Sequence, residues 1–193
     1  MLENKYLSSR NNLLLVVIFT LVNVIIAITG GDTYFLFSAS IPYYIALFVA
    51  IWCGKMPEYY YEGSGLTEAD FLPNSVLIVG AIIAVLILAI YLLFWVMSKK
   101  KVGWLIAALV FFALDSIFML VIFGISADMI IDALFHIWVI VYLAIGINAH
   151  SKLKKLPIEV EAEPVPDTLE NSEFNDGFDY PEYTPESNSE NKE

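Results

Sequence analysis

The sequence predicts an all-α integral membrane protein with about five transmembrane helices and a disordered acidic C-terminal tail. Three observations lead to this fold class. Apolar residues make up 59% of the 193 residues and charged residues only 16%, whereas soluble domains have about half and about a quarter. Five apolar runs have the length of a membrane span. The net charge of −11 falls entirely in the last part of the chain.

Each apolar run is 17 to 23 residues long. At about 1.5 Å per helical residue such a run reaches roughly 25–35 Å, the thickness of a bilayer core. The first three runs contain no Asp, Glu, Lys, Arg or His and are apolar on every face, unlike amphipathic surface helices. We therefore predict an N-terminal flank of residues 1–12 and a transmembrane domain of residues 13–156, with spans at Leu13–Thr29, Thr33–Cys53, Ser75–Met97, Gly103–Gly124 and Met129–Ala149.

The acidic segment after the last span is a separate region. Residues 157–193 contain twelve acidic residues and one base, whereas residues 1–156 contain nine of each. The segment has too few apolar side chains to offset the entropy of ordering, so we predict a disordered tail. It is either a solvating tail that anionic lipid repels, or a short linear motif that folds on a basic partner through Phe174, Phe178, Tyr180 and Tyr183.

Several function classes are excluded by composition and motifs. The balanced charge of residues 1–156 leaves no basic face for nucleic acid, and the single Cys53 allows no internal disulfide. Gly63-Ser64-Gly65 is similar to the serine motif of rhomboid-type proteases, but it lies in an acidic loop without a histidine partner at a workable depth. Metalloprotease and phosphate-loop motifs are missing. We predict a non-enzymatic protein without a cofactor.

Lysine and arginine counts predict the orientation. With five spans, a cytoplasmic C-terminus places six bases inside and three outside, so the N-terminus is predicted to lie outside. The three outside bases are Lys5, Arg10 and Lys55, and the six inside, which we take as topology and lipid-headgroup anchors, are Lys99, Lys100, Lys101, Lys152, Lys154 and Lys155.

The second span carries an alternative. Lys5 and Arg10 precede the first span and Asp32 follows it, which favours a cytoplasmic N-terminus. Both demands are met if Thr33–Cys53 is re-entrant and does not cross the membrane. Pro42 also interrupts this run, so that its helix is expected to start near Ile41.

Ionisable residues inside the predicted spans form the candidate site, because charged groups in a membrane are costly and mark functional positions. Asp128, Asp132 and His136 follow one another at intervals of four residues on one helix face. Asp115 lies about as far before the last interhelical turn as His136 lies after it. In an antiparallel hairpin the two therefore lie at equal depth and are able to face each other.

Two interpretations of this cluster are open. It is either a structural interhelical hydrogen bond or a proton relay or cation site, which two carboxylates and one imidazole would suit. On the first predicted span, Thr20, Asn23 and Ala27 form a smaller polar stripe that we expect to pack against another helix.

Three stretches have a distinctive pattern: DTYFLFSASIPYY at Asp32–Tyr44, VGWLI at Val102–Ile106 and IDALFHIW at Ile131–Trp138. Together they resemble a group of uncharacterised multispanning membrane proteins of Gram-positive, clostridia-like bacteria. The resemblance covers about residues 8–157 and leaves out the tail. It implies a bacterial plasma membrane and no particular activity.

The sequence thus favours a non-enzymatic multi-pass protein of the bacterial cell membrane that acts as an accessory, scaffold or regulatory component. The alternative is a small transporter or ion- or proton-coupled protein that uses the Asp/His cluster. The expected partners are membrane lipid and, for the scaffold, other membrane proteins or a basic cytoplasmic partner that binds the tail.

Overall fold

A computed structural model describes residues 1–124 and 127–155, except for the side chains of residues 127 and 128. The predicted tail lies outside the described residues. The described part is helical and contains no strand, which confirms the all-α prediction. Its α-helices are α1 (Leu2–Ile28), α2 (Ser40–Trp52), α3 (Asn74–Met97), α4 (Gly103–Phe123) and α5 (Ala127–Leu153), and two short 3-10 turns lie at Glu58–Tyr60 and Glu68–Asp70.

Four of these helices, α1, α3, α4 and α5, are long and apolar enough to cross a membrane. Helix α2 has only 13 residues, or about 20 Å, which is less than the hydrocarbon core. The predicted span Thr33–Cys53 therefore needs correction, because residues 33–39 are not helical. Pro42 lies in the first turn of α2, where its missing N–H costs no helical hydrogen bond.

One end of the helical bundle brings together α1, α3 and α5. The Tyr6 hydroxyl donates to the Ser98 carbonyl over 2.6 Å, and the Tyr6 ring lies 4.9 Å from the His150 ring. A Cβ atom at Gly146 would lie only 2.3 Å from the Cβ of Ser9, so glycine lets α1 and α5 approach closely. We call this end the basic end, since its bases are Lys5, Arg10, Lys99, Lys100, Lys101, Lys152, Lys154 and Lys155.

The other end holds both ends of the segment that contains α2. A Cβ atom at Gly30 would lie 2.2 Å from the carbonyl oxygen of Lys55, so the chain passes close to itself there. The Tyr59 hydroxyl donates to Asp32 over 2.6 Å. This hydrogen bond, which needs the protonated phenol, is the largest cause that raises the pKa of Tyr59 to about 12.

Residues 31–53 therefore enter the bundle and leave it at the same end, and we call them the re-entrant segment. Four crossing helices place the beginning of α1 and the end of α5 together at the basic end. The arrangement with five crossings and termini on opposite sides does not fit this geometry. The alternative in which 33–53 is re-entrant does fit it.

The outside of the bundle suits lipid. Apolar side chains cover the outer faces of α3 and α4, and Leu86 and Val121 are 60% and 75% exposed. Inside, one cluster joins α1, α3, α4 and α5 around Tyr91 and Phe112. A second cluster of small residues, including Ala46 and Ala84, packs α2 between α1 and α3.

Cysteine labelling tests the re-entrant segment. We expect Glu3→Cys and Ser151→Cys to react from the same face of the membrane and Ser64→Cys from the opposite face, each in a Cys53→Ser background. All three positions are exposed, and the measurement is modification by a membrane-impermeant maleimide with either face accessible. Five full crossings would instead place residues 3 and 64 on one face, which would refute the re-entrant segment.

Candidate functional site

Asp115 on α4 holds the first turn of α2. One carboxylate oxygen, Oδ2, accepts the backbone N–H of Ser40 over 2.8 Å. The other, Oδ1, accepts the N–H of Ile41 over 2.7 Å. Asp115 is 1% exposed and lies eight residues from the end of α4, or about 12 Å along the helix. An acidic side chain therefore caps a helix deep inside the bundle.

The cap accounts for every backbone donor at the start of α2. A helix leaves its first four N–H groups without intrahelical partners. Those of Ser40 and Ile41 donate to Asp115, and that of Ala39 donates to Thr20 Oγ1 over 2.8 Å. The fourth position is Pro42, which has no N–H. No donor is left unpaired, as a membrane interior without water requires.

Asn23 on α1 binds the non-helical part of the re-entrant segment. Its Oδ1 accepts the N–H of Phe35 over 2.7 Å, and its Nδ2 donates to the Phe35 carbonyl over 2.8 Å and to Ser38 Oγ over 2.9 Å. The stripe of Thr20, Asn23 and Ala27 thus packs inside the bundle. The two polar residues bind non-helical backbone, whereas Ala27 packs in the apolar cluster beside α2.

His136 on α5 completes the cluster. Its Nε2 lies 3.0 Å from Ser40 Oγ and 3.6 Å from Asp115 Oδ2. Its Nδ1 lies 2.9 Å from the backbone carbonyl of Asp132, which only accepts, so Nδ1 carries a proton. In the neutral ring Nε2 is then the acceptor and Ser40 donates to it. The Phe112 ring stacks on the imidazole at 5.0 Å.

The structure thus brings Asp115 and His136 together at one depth, as their spacing predicts. Asp132 is buried but has a different neighbour: its Oδ2 lies 3.5 Å from the Tyr34 hydroxyl. Asp128 belongs to α5, but its side chain lies outside the described residues. Among the side chains that the structure describes, no group of three or more His, Cys, Asp or Glu is placed to hold a metal ion.

Serine and histidine in hydrogen-bond contact are also the parts of a nucleophilic site. Here Ser40 is only 4% exposed, so a substrate has no open approach to it. Acyl transfer also needs free N–H donors for the developing oxyanion, and those of Ser40 and Ile41 already donate to Asp115. Three cavities of about 310, 260 and 200 Å³ lie elsewhere in the described part. This geometry holds a helix end in place.

Sequence reasoning missed Ser40, and it did not predict that Thr20 and Asn23 bind backbone. The available signal was the pair Ser38 and Ser40 just before Pro42, in a run otherwise apolar enough to span. Their partners come from α1, α4 and α5, and a single sequence does not indicate which helices meet.

Replacing Asp115 tests the cap. Asp115→Asn substitutes one acceptor by an NH₂ donor, so one N–H of α2 loses its partner in a buried position. We expect a loss of about 1–3 kcal/mol, measured by thermal unfolding in detergent.

The matched control is Ser116→Ala. Ser116 is buried beside Asp115 and donates only to the Phe112 carbonyl of its own helix, so we expect a loss below about 1 kcal/mol. Equal losses for the two variants would contradict a special role for Asp115.

Comparisons with known proteins do not extend this description: no protein family, no curated protein and no solved structure matches the chain. The resemblance to a clostridia-like group stays a prediction. The four long apolar helices fit a membrane protein. The fully paired N–H groups at the start of α2 meet the requirement that hydrocarbon places on buried backbone.

Proposed function

We propose that the chain is a non-enzymatic multi-pass protein of the bacterial cell membrane that acts as an accessory, scaffold or regulatory component. One observation carries the proposal. Both oxygens of Asp115, which is 1% exposed, accept N–H groups of α2, so this carboxylate serves the fold. His136 and Ser40 extend the same hydrogen-bonded cluster.

The arrangement of charges supports a cytoplasmic location for the basic end, where the start of α1 and the end of α5 lie together. The basic end carries eight bases, whereas Lys55 is the base near the other end of the described part. Bases in short segments stay on the cytoplasmic side, so this orientation replaces the expectation of an external N-terminus. In intact cells, the labelling described above then modifies Ser64→Cys and leaves Glu3→Cys and Ser151→Cys protected.

In this orientation the acidic residues 157–193 follow the cytoplasmic end of α5. Their twelve acids and interspersed aromatic residues suit a basic cytoplasmic partner or a basic segment of another membrane protein. The scaffold proposal assigns partner binding to this tail and leaves the membrane domain to anchor it.

Cross-linking in native membranes tests the scaffold. We expect the full-length protein to capture a defined partner that is lost when residues 160–193 are deleted. Replacing Phe174, Phe178, Tyr180 and Tyr183 by serine keeps every acid and is expected to lose the partner as well, because a linear motif needs its aromatic anchors. An interaction profile unchanged by the deletion would overturn the proposal.

A proton-coupled protein is the second candidate, and His136 favours it. The imidazole Nε2 lies between Ser40 Oγ and Asp115 Oδ2, so a proton taken up there would find the carboxylate 3.6 Å away. Asp132 and Tyr34 are the next polar groups toward the end where the re-entrant segment enters. For the proton-coupled candidate, these groups are the parts of a proton path between His136 and that end of the bundle.

Proton flux separates the two candidates. For a scaffold, we expect liposomes containing the protein to dissipate a pH gradient no faster than empty liposomes, as reported by an enclosed pH-sensitive dye. Faster flux that His136→Gln abolishes and Ser116→Ala retains, with both variants folded, would favour the proton-coupled candidate instead.

A further inference from the structure

A cavity of about 200 Å³ opens at the basic end between the first turns of α1 and the last turns of α5. Its polar lining consists of Lys5 from α1 and of Asn148 and Lys152 from α5. Its apolar lining consists of Leu2, Ile145 and Ala149. Two cationic groups and an amide therefore surround a recess whose remaining walls are hydrocarbon, and no acidic side chain lines it.

The two lysines of this cavity have no anionic partner in the described part of the chain, where the ion pair found is that of Asp115 and His136. Two other bases of this end, Arg10 and Lys99, have partners within the protein. Arg10 donates to Ser98 Oγ over 2.8 Å and to the Trp95 carbonyl over 3.3 Å, and Lys99 lies 5.4 Å from the Trp95 ring. Among the bases of this end that have no anionic partner in the described part, Lys5 and Lys152 are the two that line the cavity.

The position of the cavity indicates the kind of anion. It lies at the end of two crossing helices, where lipid headgroups meet water. Ile145 lines the cavity, and Val141 lies one turn further into the bundle on α5; both are apolar, and they are 42% and 46% exposed. A ligand in this cavity therefore meets positive charge at the headgroup level and an apolar helix face directly below it.

We propose that the cavity binds an anionic glycerophospholipid of the same leaflet. The phosphate accepts from the Lys5 and Lys152 ammonium groups and from the Asn148 amide, and an acyl chain lies along Ile145 and Val141. Free phosphate would satisfy the two lysines but leave the apolar walls uncovered, so a lipid matches the whole lining. The inference stands apart from the scaffold proposal, since a transporter would bind the same lipid.

Native mass spectrometry of the full-length protein tests the site. The protein is released from nanodiscs that contain equal amounts of phosphatidylglycerol and phosphatidylcholine. We expect one retained phosphatidylglycerol, and about tenfold weaker retention in the Lys5→Gln, Lys152→Gln double variant, because each base near a headgroup contributes to binding. Thermal unfolding of the variant is expected to match the parent protein, since neither lysine holds the fold.

The matched control is Lys154→Gln with Lys155→Gln. It removes the same charge from the same end, outside the cavity lining, and is expected to change retention less than about twofold. Equal losses in both double variants would overturn a defined site, because diffuse attraction explains them. Equal retention of both lipids, or binding of inorganic phosphate that competes fully with the lipid, would also overturn it.

Discussion

The fold depends on the hydrogen-bond acceptors that pair the backbone N–H groups at the buried start of α2. Four backbone positions begin this helix inside the bundle, where Ala39 and Ser40 are buried. Asp115 accepts two N–H groups, Thr20 accepts a third, and Pro42 removes the need for a fourth. Because each unpaired group would cost several kcal/mol in hydrocarbon, a helix is able to start at this depth only where such acceptors are supplied. The carboxylate also lies at the positive end of the α2 dipole, which offsets its charge.

The topology of the chain follows from this cap. A helix that starts in the middle of the bundle returns to the end from which its segment entered. Four helices therefore cross, and the start of α1 and the end of α5 lie together at one end. That pairing collects eight bases at one end. The buried hydrogen bonds of the α2 cap thus determine an even number of crossings. The even number in turn gives the charge distribution on which the proposed orientation and the proposed lipid site depend. When α2 is counted as a crossing, Lys5 and Arg10 lie on the opposite side of the membrane from the lysines after α3 and α5. With four crossings, all of these bases lie on the same side.

The same network limits the chemistry of the site. Ser40 and His136 have the contact of a nucleophile and its base, yet the N–H groups that would stabilise an oxyanion donate to Asp115. A buried polar cluster in which every group has a partner gives a helix one position and one register. His136 is the member of the cluster able to take up a proton, since its Nε2 faces both the Ser40 hydroxyl and the Asp115 carboxylate. This is why proton coupling remains the one competing function with a structural basis.

Sequence alone determined the helical class, the four long spans and the common depth of Asp115 and His136, because hydropathy and helical rise are local properties of the chain. It also left two topologies open for Thr33–Cys53, a crossing helix and a re-entrant segment. Only the tertiary structure decided that the first third of this run is not helical, because an apolar composition is compatible with either conformation once the backbone has partners. Those partners are Thr20, Asn23 and Asp115, which lie on two other helices. A count of residues along one chain cannot supply them, whereas the packing of α1 and α4 around the start of α2 does.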